Sequence, residues 1–128
     1  MSGETGPIRE TLDALAKLGV WAMRVNSGKV KVRGGWVQLA PDGTADIIGR
    51  YRDVVQVPCA GTGPLGPWRN RGTMFGVEFK IANARTKKSR AEAQAAWGAA
   101  LVRDGGVYVA GAITCEDALR GLGLTDGT

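Results

Sequence analysis

The segment Gly76–Ile81, which reads Gly-Val-Glu-Phe-Lys-Ile, decides how the rest of the chain is interpreted. Apolar and polar residues alternate in it, which is the period of a β-strand with one buried face. The alternation sends the apolar residues to the core and places Glu78 and Lys80 together on the opposite face. A carboxylate and an ammonium group therefore share one side of a predicted central strand, Met74–Ala82.

On its own, such a strand is more often a solvated face with a cross-strand ion pair. A second acidic strand start, at Asp46 in the predicted strand Ala45–Tyr51, changes this balance. If the two strands pair, Asp46 lies beside Glu78. Neighbouring carboxylates repel each other unless a hard cation lies between them, and Mg²⁺ prefers carboxylate oxygens completed by water and phosphate. The pattern predicts Mg²⁺-dependent phosphodiester hydrolysis, with Lys80 near the metal and the scissile phosphate.

The remaining elements are predicted from periodicity and from capping residues. The irregular segments predicted include turns at Ser27–Gly28 and Pro41–Gly43 and a long loop, Arg52–Thr73, rich in Gly, Pro and Arg. The predicted helices are Ile8–Leu18, a helix capped by Ser89 and ending near Arg103, and a short helix Cys115–Gly121 capped by Thr114. The predicted strands besides those above are Val20–Asn26, a β-type region made of two short runs, Val30–Val32 and Trp36–Leu39, with a hairpin or a bulged bend at Gly34–Gly35, and Val107–Ala110.

This order, αβββ followed by a loop and βαβα, predicts an α/β fold in which a mixed sheet is flanked by helices. The strand, helix, strand unit at the end favours a parallel pair with a right-handed crossover, and the earlier strands favour a meander. With 128 residues, we expect one domain spanning residues 1–128.

The composition excludes several classes of catalytic site. The chain contains no histidine, which excludes Ser-His-Asp triads, Cys-His dyads and HExxH zinc sites. The formal net charge is +5, which is compatible with a polyanionic partner. Two cysteines without CxxC spacing are expected to be free thiols. The longest apolar runs are strand-length and the first residues lack signal-peptide features, so we expect a soluble cytoplasmic protein without membrane association.

The predicted second long helix offers a further site residue. Gln94 is in register with Trp97, Gly98 and Leu101, the stripe expected to pack on the sheet, where an amide needs a polar partner. The alternative is that Gln94 merely borders the apolar stripe. Beside the Glu78 strand, we favour a role in the site.

In this order the motifs resemble a VRR-NUC domain of the PD-(D/E)XK nuclease superfamily, stand-alone type. They are Arg24-Val25-Asn26-Ser27-Gly28, Gly43-Thr44-Ala45-Asp46, Glu78-Phe79-Lys80, Gln94, and Gly105-Gly106 before a final strand. The resemblance implies a restriction-endonuclease-like sheet with an αβββαβ core and a short C-terminal helix. It departs from the family at Ala45, where proline is frequent, and in the length of the Arg52–Thr73 connection.

The resemblance also implies roles. Asp46 and Glu78, with the backbone carbonyl of Phe79, would bind Mg²⁺ or Mn²⁺ in its place, and Lys80 and Gln94 would complete the catalytic site. Stand-alone members form homodimers and cut branched DNA, including Holliday junctions. The family usually adds a glutamate from the first helix. Here it is Glu4 or Glu10, and helical spacing favours Glu4, on the side of Ile8, Leu12 and Leu15.

Basic residues near these motifs are candidates for DNA contact. One group follows the Glu78 strand; a second, Arg50, Arg52, Arg69 and Arg71, frames the long loop, and both are expected to flank the site. Charge runs are also often only solvated surface, and Arg24 and Asn26 are equally compatible with a structural role. Trp68 is either a base-stacking residue or a loop anchor. The predicted DNA-binding residues are Arg24, Asn26, Lys87, Lys88 and Arg90.

Two alternatives to a junction endonuclease remain open at this point. One is a non-catalytic DNA-binding module on the same fold, which would bind DNA in a salt-sensitive way without cutting it. The other is a nuclease that acts on linear duplex or flap DNA.

Overall fold

The computed structural model describes residues 5–25, 29–38, 44–58, 65–80 and 88–124. Three helices are present in these residues: α1 Thr5–Lys17, α2 Lys88–Arg103 and α3 Cys115–Leu122. Eight strands accompany them: β1 Trp21–Arg24, β2 Lys29–Val32, β3 Gly35–Gln38, β4 Ile47–Arg50, β5 Val55–Pro58, β6 Leu65–Arg69, β7 Met74–Phe79 and β8 Val107–Ala112.

Four of the strands form a mixed sheet in the order β1-β4-β7-β8. β1 pairs with β4 and β4 with β7 in antiparallel fashion, whereas β7 and β8 are parallel. Parallel neighbours need a crossover connection, and α2 supplies it. The mixed α/β architecture and the parallel strand, helix, strand unit confirm what the sequence predicted.

The two faces of the sheet carry different helices. Phe75, Val77 and Phe79 of β7 are buried on one face with residues of α1 and α3, and Val77 has no exposed surface. Gly76 and Glu78 alternate to the other face, which α2 covers. Burying each of the large apolar side chains of this core contributes about 1.5–3 kcal/mol, so the core fixes the register of β7.

The N-terminal cap of α3 is Thr114, as the sequence predicted. Thr114 accepts a hydrogen bond from the backbone N–H of Asp117, and the Asp117 carboxylate accepts one from the backbone N–H of Thr114, which completes a capping box. Gly123 ends the helix in the left-handed conformation, with φ of 73°. By contrast, α2 begins at Lys88, so the prediction that Ser89 caps it is wrong: Ser89 lies inside the first turn.

The long connection between β4 and β7 also differs from the prediction. It was expected to be an irregular loop over Arg52–Thr73, but it contains the antiparallel hairpin β5–β6. Tyr51 and Leu122 tie this region to α3, because the Tyr51 hydroxyl donates to the Leu122 carbonyl oxygen at 2.8 Å. The segment escaped prediction because its strands contain prolines and lack a clean alternation.

The β2–β3 hairpin confirms the predicted bend at Gly34–Gly35, with Val32 paired to Gly35. Gly34 has φ of 93°, a value that favours glycine. The hairpin forms a two-stranded sheet of its own, however, and the expected simple meander is wrong: β4 pairs directly with β1. None of the helices in the described ranges is long and apolar enough to cross a bilayer.

Candidate functional site

Asp46 and Glu78 meet on neighbouring strands. The antiparallel register pairs Ile47 with Val77, so Asp46, one residue before β4 starts, falls opposite Glu78. The Asp46 Oδ2 atom accepts a hydrogen bond from the backbone N–H of Phe79 at 2.7 Å. The Asp46 and Glu78 carboxyl groups are themselves in hydrogen-bond contact. The structure therefore brings together the two carboxylates that the sequence placed on separate strands.

Glu78 is buried, with 6% of its surface exposed. Gln94 of α2 donates from Nε2 to the Glu78 Oε1 atom at 2.7 Å. A buried carboxylate needs such partners, because its desolvation is otherwise costly. Glu78 is thus not part of a solvated strand face, and Gln94 does not merely border an apolar stripe.

Two glycines let α2 approach the sheet closely enough for this contact. A Cβ atom at Gly98 would lie 2.3 Å from the ring of Tyr108, and one at Gly76 would lie 2.7 Å from the ring of Trp97. Trp97 and Tyr108 also contact each other, with ring centroids 5.9 Å apart. Because both glycines lack a side chain, the aromatic rings fill the space between helix and sheet and fix the position of Gln94.

Opposing effects act on the pKa of Asp46. Burial raises the pKa of Asp46, while its hydrogen bonds to Phe79 and Glu78 and the charges of Arg90 and Arg24 lower it; burial dominates. Arg90 lies in the first turn of α2 and Arg24 at the end of β1, and both are exposed. Two arginines proposed from the sequence for DNA contact are therefore close enough to Asp46 to act on its charge.

Tyr108 belongs to the site although the sequence did not single it out. In the parallel register it pairs with Gly76, which puts it on the same sheet face as Glu78. Burial raises the pKa of Tyr108 to about 12, and the charges of Glu78 and Asp46 add to this effect. The only sequence signal was its position in the last apolar strand, which has no meaning until the register of β8 against β7 is known.

Two other predicted site residues, Lys80 and Lys88, are exposed. Lys80 follows the last residue of β7 and is exposed; its backbone N–H donates to the Ala112 carbonyl oxygen at 2.8 Å. Within the described ranges, no ion pair joins Lys80 to Asp46 or Glu78. Lys88 is exposed at the start of α2. Asn26 and Lys87 lie outside the described residues.

The first-helix glutamate stays undecided. Glu10 is exposed on α1, on the side away from the buried residues Ile8 and Leu15, and Glu4 lies outside the described residues. In the part of the chain that the structure describes, no group of three His, Cys, Asp or Glu side chains could hold a metal ion. The described acidic centre is thus the pair Asp46 and Glu78.

One prediction about the surface is wrong. The arginines around the long loop, Arg50, Arg52, Arg69 and Arg71, were expected to flank the site. β4 starts beside Asp46 and ends at Arg50, and the β5–β6 hairpin branches from that far end. Five residue steps of antiparallel strand separate Asp46 from Tyr51, which is about 17 Å. These four arginines lie at the opposite end of the sheet.

Asp46→Asn is expected to stabilise the protein in the presence of a chelator. A carboxyl group whose folded pKa is raised above 3.8 costs stability as the pH rises through that window, because the native state holds the proton longer. Asparagine can still accept from Phe79 and donate to Glu78. We expect the free energy of unfolding at neutral pH to rise by about 1 kcal/mol, and the gain to vanish near pH 3.

Urea unfolding of both proteins across this pH range measures the gain. Asp13→Asn, on the exposed side of α1, is the matched control and should show no gain. Equal stability of Asp46→Asn and the wild-type protein at every pH would show that Asp46 carries no burial cost.

No family model, curated protein or solved structure matched this chain.

Proposed function

We propose that this chain is a divalent-metal-dependent DNA endonuclease with a restriction-endonuclease-like fold of the VRR-NUC type. The observation that carries the proposal is the buried Glu78 carboxylate, which lies against Asp46 on the neighbouring strand and is held by Gln94. Contact between two carboxyl groups does not stabilise a fold, because each group loses hydration when it is buried. A phosphodiester-cleaving metal site gives a reason for both.

The residues present fit a hard divalent cation. The donors are carboxylate oxygens, which Mg²⁺ prefers, and the two carboxyl groups interact directly across neighbouring strands, with Glu78 buried. A cation between them would offset the repulsion between two ionised carboxylates. Asp46 and Glu78 would hold Mg²⁺ or Mn²⁺, with the Phe79 backbone carbonyl, water and substrate phosphate as further ligands. When bound, the ion supplies Lewis-acid polarisation of the scissile phosphate.

The protein's own groups orient the two carboxylates and offset the negative charge of the site. Gln94 fixes the orientation of the Glu78 carboxylate, and the backbone N–H of Phe79 fixes that of Asp46. Arg24 and Arg90 offset the negative charge of the site and attract the phosphate backbone of DNA. Lys80, exposed just beyond Glu78, is proposed to neutralise charge that develops on the scissile phosphate.

A panel of DNA shapes tests this function. Labelled Holliday junctions, flaps, linear duplex and single strands are incubated with the purified protein and Mg²⁺ or Mn²⁺. We expect metal-dependent cutting that is strongest on branched DNA and that is lost in Asp46→Ala. Binding without cutting on every substrate would instead establish a DNA-binding module, and preference for linear duplex or flaps would replace the junction assignment.

We further propose that the active species is a homodimer, because symmetrical cutting of a junction needs two sites. Light scattering of the free protein and of its junction complex measures the mass. A monomer in both states would contradict this part of the proposal.

Gln94→Ala is expected to raise the Mg²⁺ concentration that gives half-maximal cutting by about 10- to 100-fold, with little change in DNA binding. The reason is that Gln94 holds the Glu78 carboxylate in place without touching the substrate. Single-turnover cutting over a Mg²⁺ titration measures the shift. The exposed Glu92 on the same helix is the control, and Glu92→Ala should leave the titration curve in place. An unshifted curve for Gln94→Ala would remove Gln94 from the site.

A further inference from the structure

The chain leaves the main sheet for the β2–β3 hairpin, and returns from it, at the end of the sheet that carries the carboxylate pair. The backbone N–H of Val25 donates to the Asp46 carbonyl oxygen at 2.8 Å, and the hairpin lies in the chain between these two bonded residues. Its turn is at Arg33–Gly34, since Val32 pairs with Gly35 across it. The hairpin is therefore an excursion from the sheet whose base is the end of the sheet that carries Asp46 and Glu78.

The hairpin sequence carries charge of one sign only. No Asp or Glu occurs in residues 14–41, although the chain contains 12 of them. The hairpin itself, residues 29–38, includes three basic residues: Lys29, Lys31 and Arg33. Arg33 is exposed at the hairpin turn, and neighbouring Val32 is 43% exposed. Arg33 thus offers positive charge to solvent, and the hairpin sequence, residues 29–38, contains no acidic residue to neutralise it.

The hairpin cannot lie far from the site. Four residue steps separate Val25 from Lys29, and they span at most about 14 Å however the chain runs. One turn of duplex DNA is about 34 Å long. A duplex with one phosphate at the carboxylate pair therefore passes within reach of the hairpin on one side of the cut.

We propose that the β2–β3 hairpin is a duplex-binding arm that holds the DNA next to the scissile phosphate, a role that rests on the proposed function for the location of that phosphate. A two-stranded β-ribbon fits the major groove of B-DNA, which is about 12 Å wide. Its basic residues neutralise phosphates on both sides of the groove, which gives affinity without base specificity. The partner is double-helical DNA, recognised by charge and groove shape.

The test compares two triple variants that remove the same charge. Lys29→Ala/Lys31→Ala/Arg33→Ala changes the hairpin, and Lys17→Ala/Arg71→Ala/Arg103→Ala changes exposed residues at the far end of the sheet. Anisotropy of a labelled duplex is measured without divalent metal over a range of salt concentrations. The hairpin variant is expected to bind about 10- to 100-fold more weakly, with a salt slope reduced by about 2 to 3.

The far-end variant should retain most of the wild-type slope. Equal losses in both variants would overturn the proposal, because only total charge would then matter, and so would wild-type binding by the hairpin variant. Preferential binding of single strands through the hairpin would overturn the assignment to duplex. Arg33→Glu, a single exposed change at the turn, guards against misfolding of the triple variant: it should weaken binding while circular dichroism stays unchanged.

Cutting separates this inference from the proposed function. With saturating DNA at low salt, the hairpin variant is expected to cut at the wild-type single-turnover rate, because Asp46 and Glu78 are intact. If the wild-type protein cuts no DNA but its binding depends on the hairpin, the endonuclease proposal fails and the arm remains. If the wild-type protein cuts and the hairpin variant binds normally, only the arm fails.

Discussion

Glu78→Gln is expected to abolish metal-dependent DNA cutting, with a loss of about 10³-fold or more, while the protein stays folded and binds DNA. Glutamine has the shape of glutamate and can keep the hydrogen bond with Gln94. It removes only the negative charge that a cation requires, so the loss isolates that charge. Removing one essential electrostatic group from an active site has effects of this size.

The matched control for Glu78→Gln is Glu92→Gln, the same change at an exposed position of α2. Single-turnover cutting with Mg²⁺ gives the rate, circular dichroism the fold, and anisotropy without metal the DNA affinity. We expect Glu92→Gln to match the wild-type protein in all three. Cutting at the wild-type rate by Glu78→Gln would mean that the chemistry happens elsewhere on the molecule.

Gly98→Val is expected to lower the free energy of unfolding by about 3 kcal/mol, the upper end of what overpacking costs. The first atom of any side chain here would lie 2.3 Å from the Tyr108 ring, well inside contact distance. The helix must therefore move away from the sheet or the ring must leave its position between α2 and β8. Either response shifts Gln94 relative to Glu78, and cutting should fall by about 100-fold, as expected for a displacement near 1 Å.

Ala99→Val serves as the control for Gly98→Val. It adds a branched side chain to the next residue of the same helix, where the surface is exposed, and should change stability by about 0.5 kcal/mol at most. Urea unfolding and single-turnover cutting are measured on both variants. If Gly98→Val were as stable and as active as Ala99→Val, close packing of α2 on the sheet would not be what positions Gln94.

The sequence predicted the placement of individual side chains where a short-range pattern fixes the geometry. Strand alternation separated Glu78 from Val77, and helical spacing put Gln94 on the face of α2 that meets the sheet. The contact of Asp46 with Glu78 depended on strand pairing, a long-range property, and was only inferred. Tyr108 was missed because its neighbourhood is created by the parallel register of β8 with β7.

Longer-range features could not be predicted. The four arginines around the long loop lie in the chain between Asp46 and Glu78. Because β4 runs away from Asp46, these arginines nevertheless lie at the far end of the sheet. The β5–β6 hairpin forms from residues without clear alternation, because cross-strand hydrogen bonds and contact with α3 stabilise it. In contrast, the cap at Thr114 was predicted, since capping involves only neighbouring residues.

The most direct test of the central claim is the single-turnover rate of junction cutting as a function of Mn²⁺ concentration, for the wild-type protein and for Asp46→Asn. Asparagine keeps the contacts of Asp46 with Phe79 and Glu78 but supplies no charge to a cation. The account predicts a saturable, metal-dependent rate for the wild-type protein and no cutting by Asp46→Asn at any Mn²⁺ concentration. Cutting by the wild-type protein in a chelator, or an Asp46→Asn curve that overlays the wild-type curve, would contradict it.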